Sequence, residues 1–376
     1  MRLIHSADWQ IGKPFLRFGE KAEGLRTARL DAIEALGRLA IEEGAPHVLV
    51  AGDIFDSDAP AIVTLRQPLE RMRNFPNVTW NLLPGNHDCH RPGGVWERLA
   101  ALGLPSNVRP LLSPEPLALD ARTWLLPAPL GSRAESRDLT AAMEQAATPE
   151  GAVRIGLAHG SVTNFKAEGD ASNPVDPDRA AKAGLAYLGL GDWHRTQAIN
   201  ARTWYAGSPE PDRHDSQTVG QALVVSIGSE GADPVVTPRT VGTFRWASDA
   251  IVVSDAQQLA DHEARLRREA EPLSRLVLRF ALSGTVSLTL RDQTREWSER
   301  LAASVCHLDC DLGGLQLRPD PAELDAIDFD GVLHQAAERL AARVKDLSLS
   351  EAERRVAEEA LVHLYVEAHA AREAAA

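Results

Sequence analysis

HVLVAGD (47–53) sets a short apolar, β-branched run directly against a Gly-Asp pair. Such a run favours a buried strand, and glycine followed by an acid ends it in a tight turn. One such ending says little, because strand ends often use Asp as a turn former. The same grammar returns in VTWNLLPGNHD (78–88), VRIGLAHG (153–160) and LAYLGLGDWH (185–194), and the chain opens on a variant of it, IHSADWQIG (4–12). Helix-like spans from Glu23 to Glu43 and from Pro60 to Arg73 lie between the early strands. Strands alternating with helices imply layered α/β architecture.

Composition narrows the class. At 376 residues and 44% apolar content the chain is long enough for two domains and a sizeable core. No run of about eighteen apolar residues occurs, and Asp8 interrupts the N-terminal run too early for a signal peptide, so cytoplasmic residence without membrane contact is expected. Three cysteines, Cys89, Cys306 and Cys310, are too few and too odd for a disulfide framework. CHLDC (306–310) reads as two ordinary thiols near a strand, because structural zinc needs four ligands in paired spacing. The net charge of −13 argues against a broad nucleic-acid coat. A local groove remains open, since bound divalent cations can supply the positive charge at a phosphate.

Along the chain, residues 1–240 carry the repeated strand-turn grammar, closing with QALVVSIG (221–228) and DPVVTP (233–238) as antiparallel strands. Residues 241–322 read as an α+β module. Its strands are AIVVSD, RLVLRFALSG, VSLTL and LGGLQLRP; its helices are AQQLADHEARLRREAE and DQTREWSERLAASV. Residues 323–376 are helical: Val332, Ala336, Leu340 and Val344 make one stripe. Ser350 with Glu353 caps a second helix carrying Val356, Ala360, Leu364 and Tyr365. The hairpin either packs on its own protein or docks a partner helix.

Five strand ends present candidate ligands: Asp8 with Gln10, Asp53, Asn86 with His87, His159, and Asp192 with His194. In open α/β sheets ligands bind beyond the carboxyl ends of strands, so these turns are expected to converge. Gly52, Gly85, Gly160 and Gly191 suit tight turns with close backbone approach. Carboxylate, amide and imidazole together fit borderline-hard cations such as Mn²⁺, Mg²⁺, Fe²⁺ or Zn²⁺. Two ions about 4 Å apart need a bridging carboxylate and serve phosphoryl chemistry; Asp53 is the natural bridge.

GDIFD (52–56), GNHD (85–88), AHG (158–160) and GDWH (191–194), following SADWQIG (6–12), resemble the ordered motifs of the calcineurin-like metallophosphoesterase superfamily. Within it, MRLIHSADWQIGKPF, VAGDIFDSDAP (50–60) and YAGSPEP (205–211) resemble bacterial SbcD-type DNA repair exonucleases. The resemblance implies a four-layer sandwich with helices flanking two β-sheets, a small α+β capping domain that contacts DNA, and a C-terminal helical arm. It also implies that Asp8, Gln10, Asp53 and His194 hold a first metal, and Asp53, Asn86, His159 and Asp192 a second. His87 would orient the phosphate and protonate the departing oxygen, with Asp56 and Asp88 as anchors. The implied reaction is in-line attack on a phosphodiester by water that the cations activate.

Two departures stand out. Gln10 and Asp192 occupy positions where the family usually has His. The exchange shifts the ligand set toward oxygen donors, favouring Mn²⁺ or Mg²⁺, and weakens the first position while retaining the second. Lys13, Arg17, Arg195, and Arg213 with His214 in PEPDRHD (209–215), are candidate DNA contacts, which would position a strand without reading its sequence. Trp9 and Trp193 read as core pillars under the site. The arm would bind the coiled-coil root of an SbcC-type ATPase, and the nuclease domain would form a homodimer; the chain has no Gly-x-x-x-x-Gly-Lys-Ser/Thr loop of its own. A catalytically weakened DNA-binding scaffold and a phosphodiesterase for a small nucleotide are the alternatives.

Overall fold

Leu3 and Ile4 are adjacent in β1 (Arg2–Ser6), both fully buried, and they belong to different cores. The period of two along a strand is the reason. Leu3 joins Leu49, Leu125, Ile155, Tyr187 and Leu223. Ile4 joins Val48, Val50 and Trp80 with the helix residues Ile33, Leu36 and Leu69. The protein is described here from a computed structural model, over residues 1–163, 172–214, 219–228, 231–270, 272–318 and 331–373. It divides into two compact units, Met1–Trp246 and Ala247–Ala376. The expected limit at residues 322 and 323 lies outside the described residues.

In the first unit, β1 pairs in parallel with β2 (His47–Val50), β2 with β3 (Thr79–Leu82) and β3 with β4 (Val108–Pro110). A second sheet orders β5 (Leu117–Ala118), β6 (Thr123–Ala128), β7 (Val153–His159), β10 (Tyr187–Gly191), β12 (Thr203–Tyr205) and β11 (Gln197–Ala198), with β6, β7, β10 and β12 mutually parallel. Short strands β8 (Ser161–Val162) and β9 (Pro174–Val175) pair beside it. The two sheets face each other across the Leu3 cluster. Helices α1 (Ala22–Glu42), α2 (Ile62–Arg73) and α3 (Val95–Ala101) cover the outer face of the first sheet. Short helices α4 (Ala142–Gln145) and α5 (Arg179–Lys182) cover the second, through Met143, Ala180 and Ala183 against Ala158, Leu188 and Leu190. Helix, sheet, sheet, helix makes the expected four layers. Each buried Leu or Val in them contributes about 1.5–3 kcal/mol.

Local sequence sets these elements. Leu25, Ala28, Ile33, Leu36 and Leu39 give α1 its buried stripe. It stops where Gly44 turns left-handed (φ 61°), with the Ala45 N–H on the Ala40 carbonyl at 2.8 Å. That bond is the six-residue closure of a glycine C-cap. Strand β13 (Val219–Ser226) then adds antiparallel to β1, and β14 (Val235–Val252) antiparallel to β13. β14 is one continuous strand, so DPVVTP and AIVVSD are not separate elements.

In the second unit, β15 (Leu276–Val286) pairs in parallel with β16 (His307–Leu317), joined by α7 (Leu288–Ser304). VSLTL is therefore not a strand. Ser287 breaks it: its hydroxyl accepts the Leu290 N–H at 3.2 Å and starts the helix. Phe280 and Trp297 pack edge-on at 5.6 Å in the core of this unit, beside Leu259 and Leu266 of α6 (Ala256–Glu269). The three cysteines form no disulfide among the described residues. The helices α8 (Val332–Lys345) and α9 (Glu351–Glu373) pack through Ala337, Leu361 and Tyr365 with Leu288. The capping box forms, Ser350 N–H to Glu353 at 2.9 Å. The buried stripe of α9 is Ala357, Leu361 and Tyr365; of the expected residues Tyr365 belongs to it, and Val332 and Val356 are exposed.

Candidate metal centre

β1, β2 and β3 run in parallel, as do β7 and β10, and every candidate ligand stands at or just past one of their carboxyl ends. Backbone bonds knit the turns. Asp8 N–H donates to the Gly52 carbonyl at 3.1 Å, Gln10 N–H to Asp53 at 2.9 Å, and Gly160 N–H to Gly191 at 3.2 Å. Bonds also cross between the sheets, among them Asp192 N–H to Asp8 Oδ1 at 3.1 Å and His159 Nδ1–H to the Ala51 carbonyl at 2.8 Å.

Asp8, Gln10, Asp53 and Asp192 have φ of 56°, 45°, 55° and 95°. A non-glycine residue held there costs roughly 1–3 kcal/mol and marks sites where surrounding structure imposes the conformation. Among the described residues only Phe15 and Asn173 share it, so the strain concentrates here. Gly52 (φ 88°) is needed for space as well as for its turn. A Cβ on it would lie 2.3 Å from His159 Nδ1.

Because Nδ1 of His159 is committed to a carbonyl, Nε2 points inward. Around it lie Asn86 Oδ1 at 3.3 Å, Asp53 Oδ1 at 3.6 Å and Asp192 Oδ1 at 3.9 Å. Donors about 2.0–2.2 Å from one cation stand roughly 3–3.5 Å apart, so this spacing is close to that of a ligand shell. Asp8, Asp53 and His159 bring ligand atoms within 4.8 Å of one another. Buried Oδ2 of Asp8 has no hydrogen-bond partner among the described residues, an atom waiting for a cation or a proton.

The electrostatics agree. Burial raises the Asp8 pKa to about 6, with His194 and His159 pulling it back and Asp53 pushing it up. Burial works against a charged His159, and Asp53, Asp8 and Asp192 outweigh it, raising its pKa to about 9. So much buried negative charge in one place is what a divalent cation relieves.

His87 is 40% exposed at the rim. Its Nδ1–H donates to the Asp56 carbonyl at 2.8 Å and its N–H to Asp53 Oδ1 at 2.9 Å, with Nε2 4.0 Å from Asp53 Oδ2. Asp56 thus supports His87 through its backbone; its carboxylate lies 4.0 Å from Lys13. Asp88 is fully buried and accepts Gly85 N–H at 2.7 Å and Phe55 N–H at 3.1 Å, tying two ligand loops together. Burial first, then Asp53, raises its pKa to about 7.

The chain's other candidates are distributed differently. Gln10 Oε1 accepts from Lys13 Nζ at 2.9 Å, and Gln10 Nε2 faces His194 Nε2 at 3.4 Å. Lys13 Nζ also reaches Asp212 Oδ2 at 2.5 Å, where Arg29 meets it at 3.1 Å. Lys13 is thereby committed to a carboxylate. His214 is buried with its ring edge-on to Trp246 at 5.0 Å, which removes it from a groove surface, and Asp215 beside it lies outside the described residues. Arg213 and Arg195 are exposed, the latter over the Trp193 ring at 5.6 Å, while Arg17 stacks on Phe18 at 4.7 Å. Trp9 is a buried pillar against Trp80; Trp193 is half-buried.

Sequence reading missed Asp212, Arg29 and Ser161. Ser161 Oγ–H donates to Asp192 Oδ2 at 2.7 Å. Arg29 left a signal: it falls four residues from Leu25 and Ile33, inside the apolar stripe of α1, where a cation needs a buried partner.

Residues 1–171 match the family model for calcineurin-like phosphoesterases. The chain is 28% identical over 262 residues to the D component of the nuclease SbcCD from Rhodobacter capsulatus, across 56% of this chain and 62% of that protein. The match thus spans less than two thirds of the relative's length. Among solved structures, TT1561 of Thermus thermophilus is similar at 13% identity and a TM-score of 0.40, over 64% of this chain and 98% of that one. Purple acid phosphatase PPD1 of yellow lupin seeds follows at 11% and 0.38, over 64% and 51%. Over its first 171 residues the chain is thus similar to calcineurin-like phosphoesterases, a family that works with divalent metals.

Proposed function

We propose that this protein is a metal-dependent DNA nuclease of the SbcD type, cleaving phosphodiesters in DNA repair or end processing in the cytoplasm. The observation that carries the reading is the ring of Asn86, Asp53 and Asp192 around His159 Nε2, with Asp8 beside it. Asp53, Asn86, His159 and Asp192 would hold one cation. Asp8, Asp53, His194 and Gln10 frame a second position, which Gln10 weakens; Mn²⁺ suits these oxygen-rich donors. Bound there, divalent cations polarise the phosphate and activate water. His87 supplies the proton to the departing oxygen from Nε2, its ring fixed by the Asp56 carbonyl. Asp88 keeps the two ligand loops in register.

In this reading residues 241–322 cap the site and contact DNA along with Arg213 and Arg195. Residues 323–376 dock an SbcC-type ATPase, and the nuclease domains pair as a homodimer. Exposed Val332 and Val356 on the helical hairpin are the apolar surface such docking would use. A scaffold with weakened catalysis is the second reading, favoured by the engagement of Gln10 with Lys13.

The test is hydrolysis with Mn²⁺ of linear double- and single-stranded DNA and of a chromogenic phosphodiester, beside His87→Ala. DNA cleavage that falls about 10²–10⁴-fold in the variant supports the nuclease. Binding of DNA without cleavage supports the scaffold. Cleavage of the small ester alone would give a small-substrate phosphodiesterase instead.

A further inference from the structure

An amide side chain has one atom able to ligate a cation, its carbonyl oxygen. In Gln10 that oxygen is taken by the Lys13 ammonium at 2.9 Å, and the amide nitrogen is turned to His194 Nε2 at 3.4 Å. Reversing the amide would set its NH₂ against the ammonium, donor against donor, so Lys13 fixes the orientation. Lys13 is itself held: Asp212 Oδ2 binds it at 2.5 Å, and Asp212 is buried with Arg29 at 3.1 Å. Asp212 Oδ1 also stands 3.5 Å from His194 Nδ1, so one carboxylate faces both neighbours of the first position. His194 therefore spends its inward nitrogen on Gln10, and Gln10 spends its oxygen on Lys13. The inward nitrogen of His159 differs in what it faces: Asn86 Oδ1 at 3.3 Å, Asp53 Oδ1 at 3.6 Å and Asp192 Oδ1 at 3.9 Å are all oxygens able to ligate a cation, where His194 faces an amide NH₂.

We infer that Lys13, acting through Gln10, restricts the centre to a single tightly held divalent cation, the one at His159, and leaves the position at His194 closed. Lys13 is a positioning residue whose charge stands near the place a second ion would take. The inference rests on the metal-centre reading above and adds the stoichiometry and its cause. Lys13→Met removes the ammonium and releases the Gln10 oxygen. Gln10→His replaces the amide by a ligand outright.

The experiment strips the full-length protein with chelator, adds Mn²⁺, and counts retained ions by calorimetry and elemental analysis. Low-temperature electron paramagnetic resonance separates an isolated ion from a spin-coupled pair. Wild type should retain one uncoupled Mn²⁺ per chain. Lys13→Met should tighten a second ion by about 10–100-fold, the range for residues adjoining ligands, and Gln10→His should yield a coupled pair. Thermal melts check that each variant is folded, and Gln10→His decides alone if Lys13→Met is not. Two coupled ions in wild type, or folded variants that still hold one, overturn the inference while keeping the metal centre. No ion retained by any of the three proteins overturns the metal centre itself, and this inference with it.

Discussion

Asp212 is the residue whose loss should be felt most outside the ligands. Burial alone would raise its pKa, but His194, Arg29 and Lys13 outweigh it and hold the carboxyl well below the ordinary range. Asp212→Ala strands Arg29 in the core, and breaking such a buried pair costs about 3–5 kcal/mol, to be read as a fall in the denaturant midpoint. Glu210 shows the opposite shift. Burial raises its pKa to about 7, against the N–H groups of Thr243 and Phe244 that it accepts at 2.7 and 2.8 Å. The folded pKa lies above the unfolded one, so this group's contribution is full below about pH 4 and is lost as pH rises through 7. Because Gln cannot lose a proton, the melting temperature of wild type should fall relative to that of Glu210→Gln from pH 5 to pH 8; a constant difference would refute it. Neither role was legible in the sequence. An acid in a Pro-rich loop looks like any turn former until the chain brings Arg29, or a strand's amides, to meet it.

Strand ends were the legible elements, because an apolar run followed by Gly and a polar ligand type is a local signal. The five turns do converge, and the four-layer order follows from period-two burial on β1, β2, β7 and β10. Their left-handed residues are the tight part of that design. Gly52→Ala should lose more than about 3 kcal/mol of stability and most metal affinity, since positive φ and the contact with His159 are both violated. Isothermal titration with Mn²⁺ checks the second effect. The sequence misled where periodicity was ambiguous: VSLTL has strand-forming residues, yet Ser287 caps α7 inside it. Apart from Tyr365, the α9 stripe fell one residue away because alanines at 357 and 360 offer no contrast to choose between faces. The Lys13–Gln10 contact depends on side-chain direction after a turn, which no spacing rule supplies.

For the whole molecule, no helix among the described residues is long and apolar enough to cross a membrane. The second unit has its own core around Phe280 and Trp297. Metal removal is the measurement that belongs to this scale. Mn²⁺ at about 100 times its dissociation constant should stabilise the protein by about 2.7 kcal/mol per site, seen as a melting temperature that falls when chelator is added. A melt indifferent to chelator would contradict the site. Asp8, Asp53 and Asn86 hang from one sheet, His159, Asp192 and His194 from the other. An ion bound among them would act as a clasp across the interlayer seam, so that losing the cofactor and opening the sandwich become a single event. Starved of metal, such a protein would be expected to yield first to proteases at that seam, making its cellular lifetime a gauge of available cation.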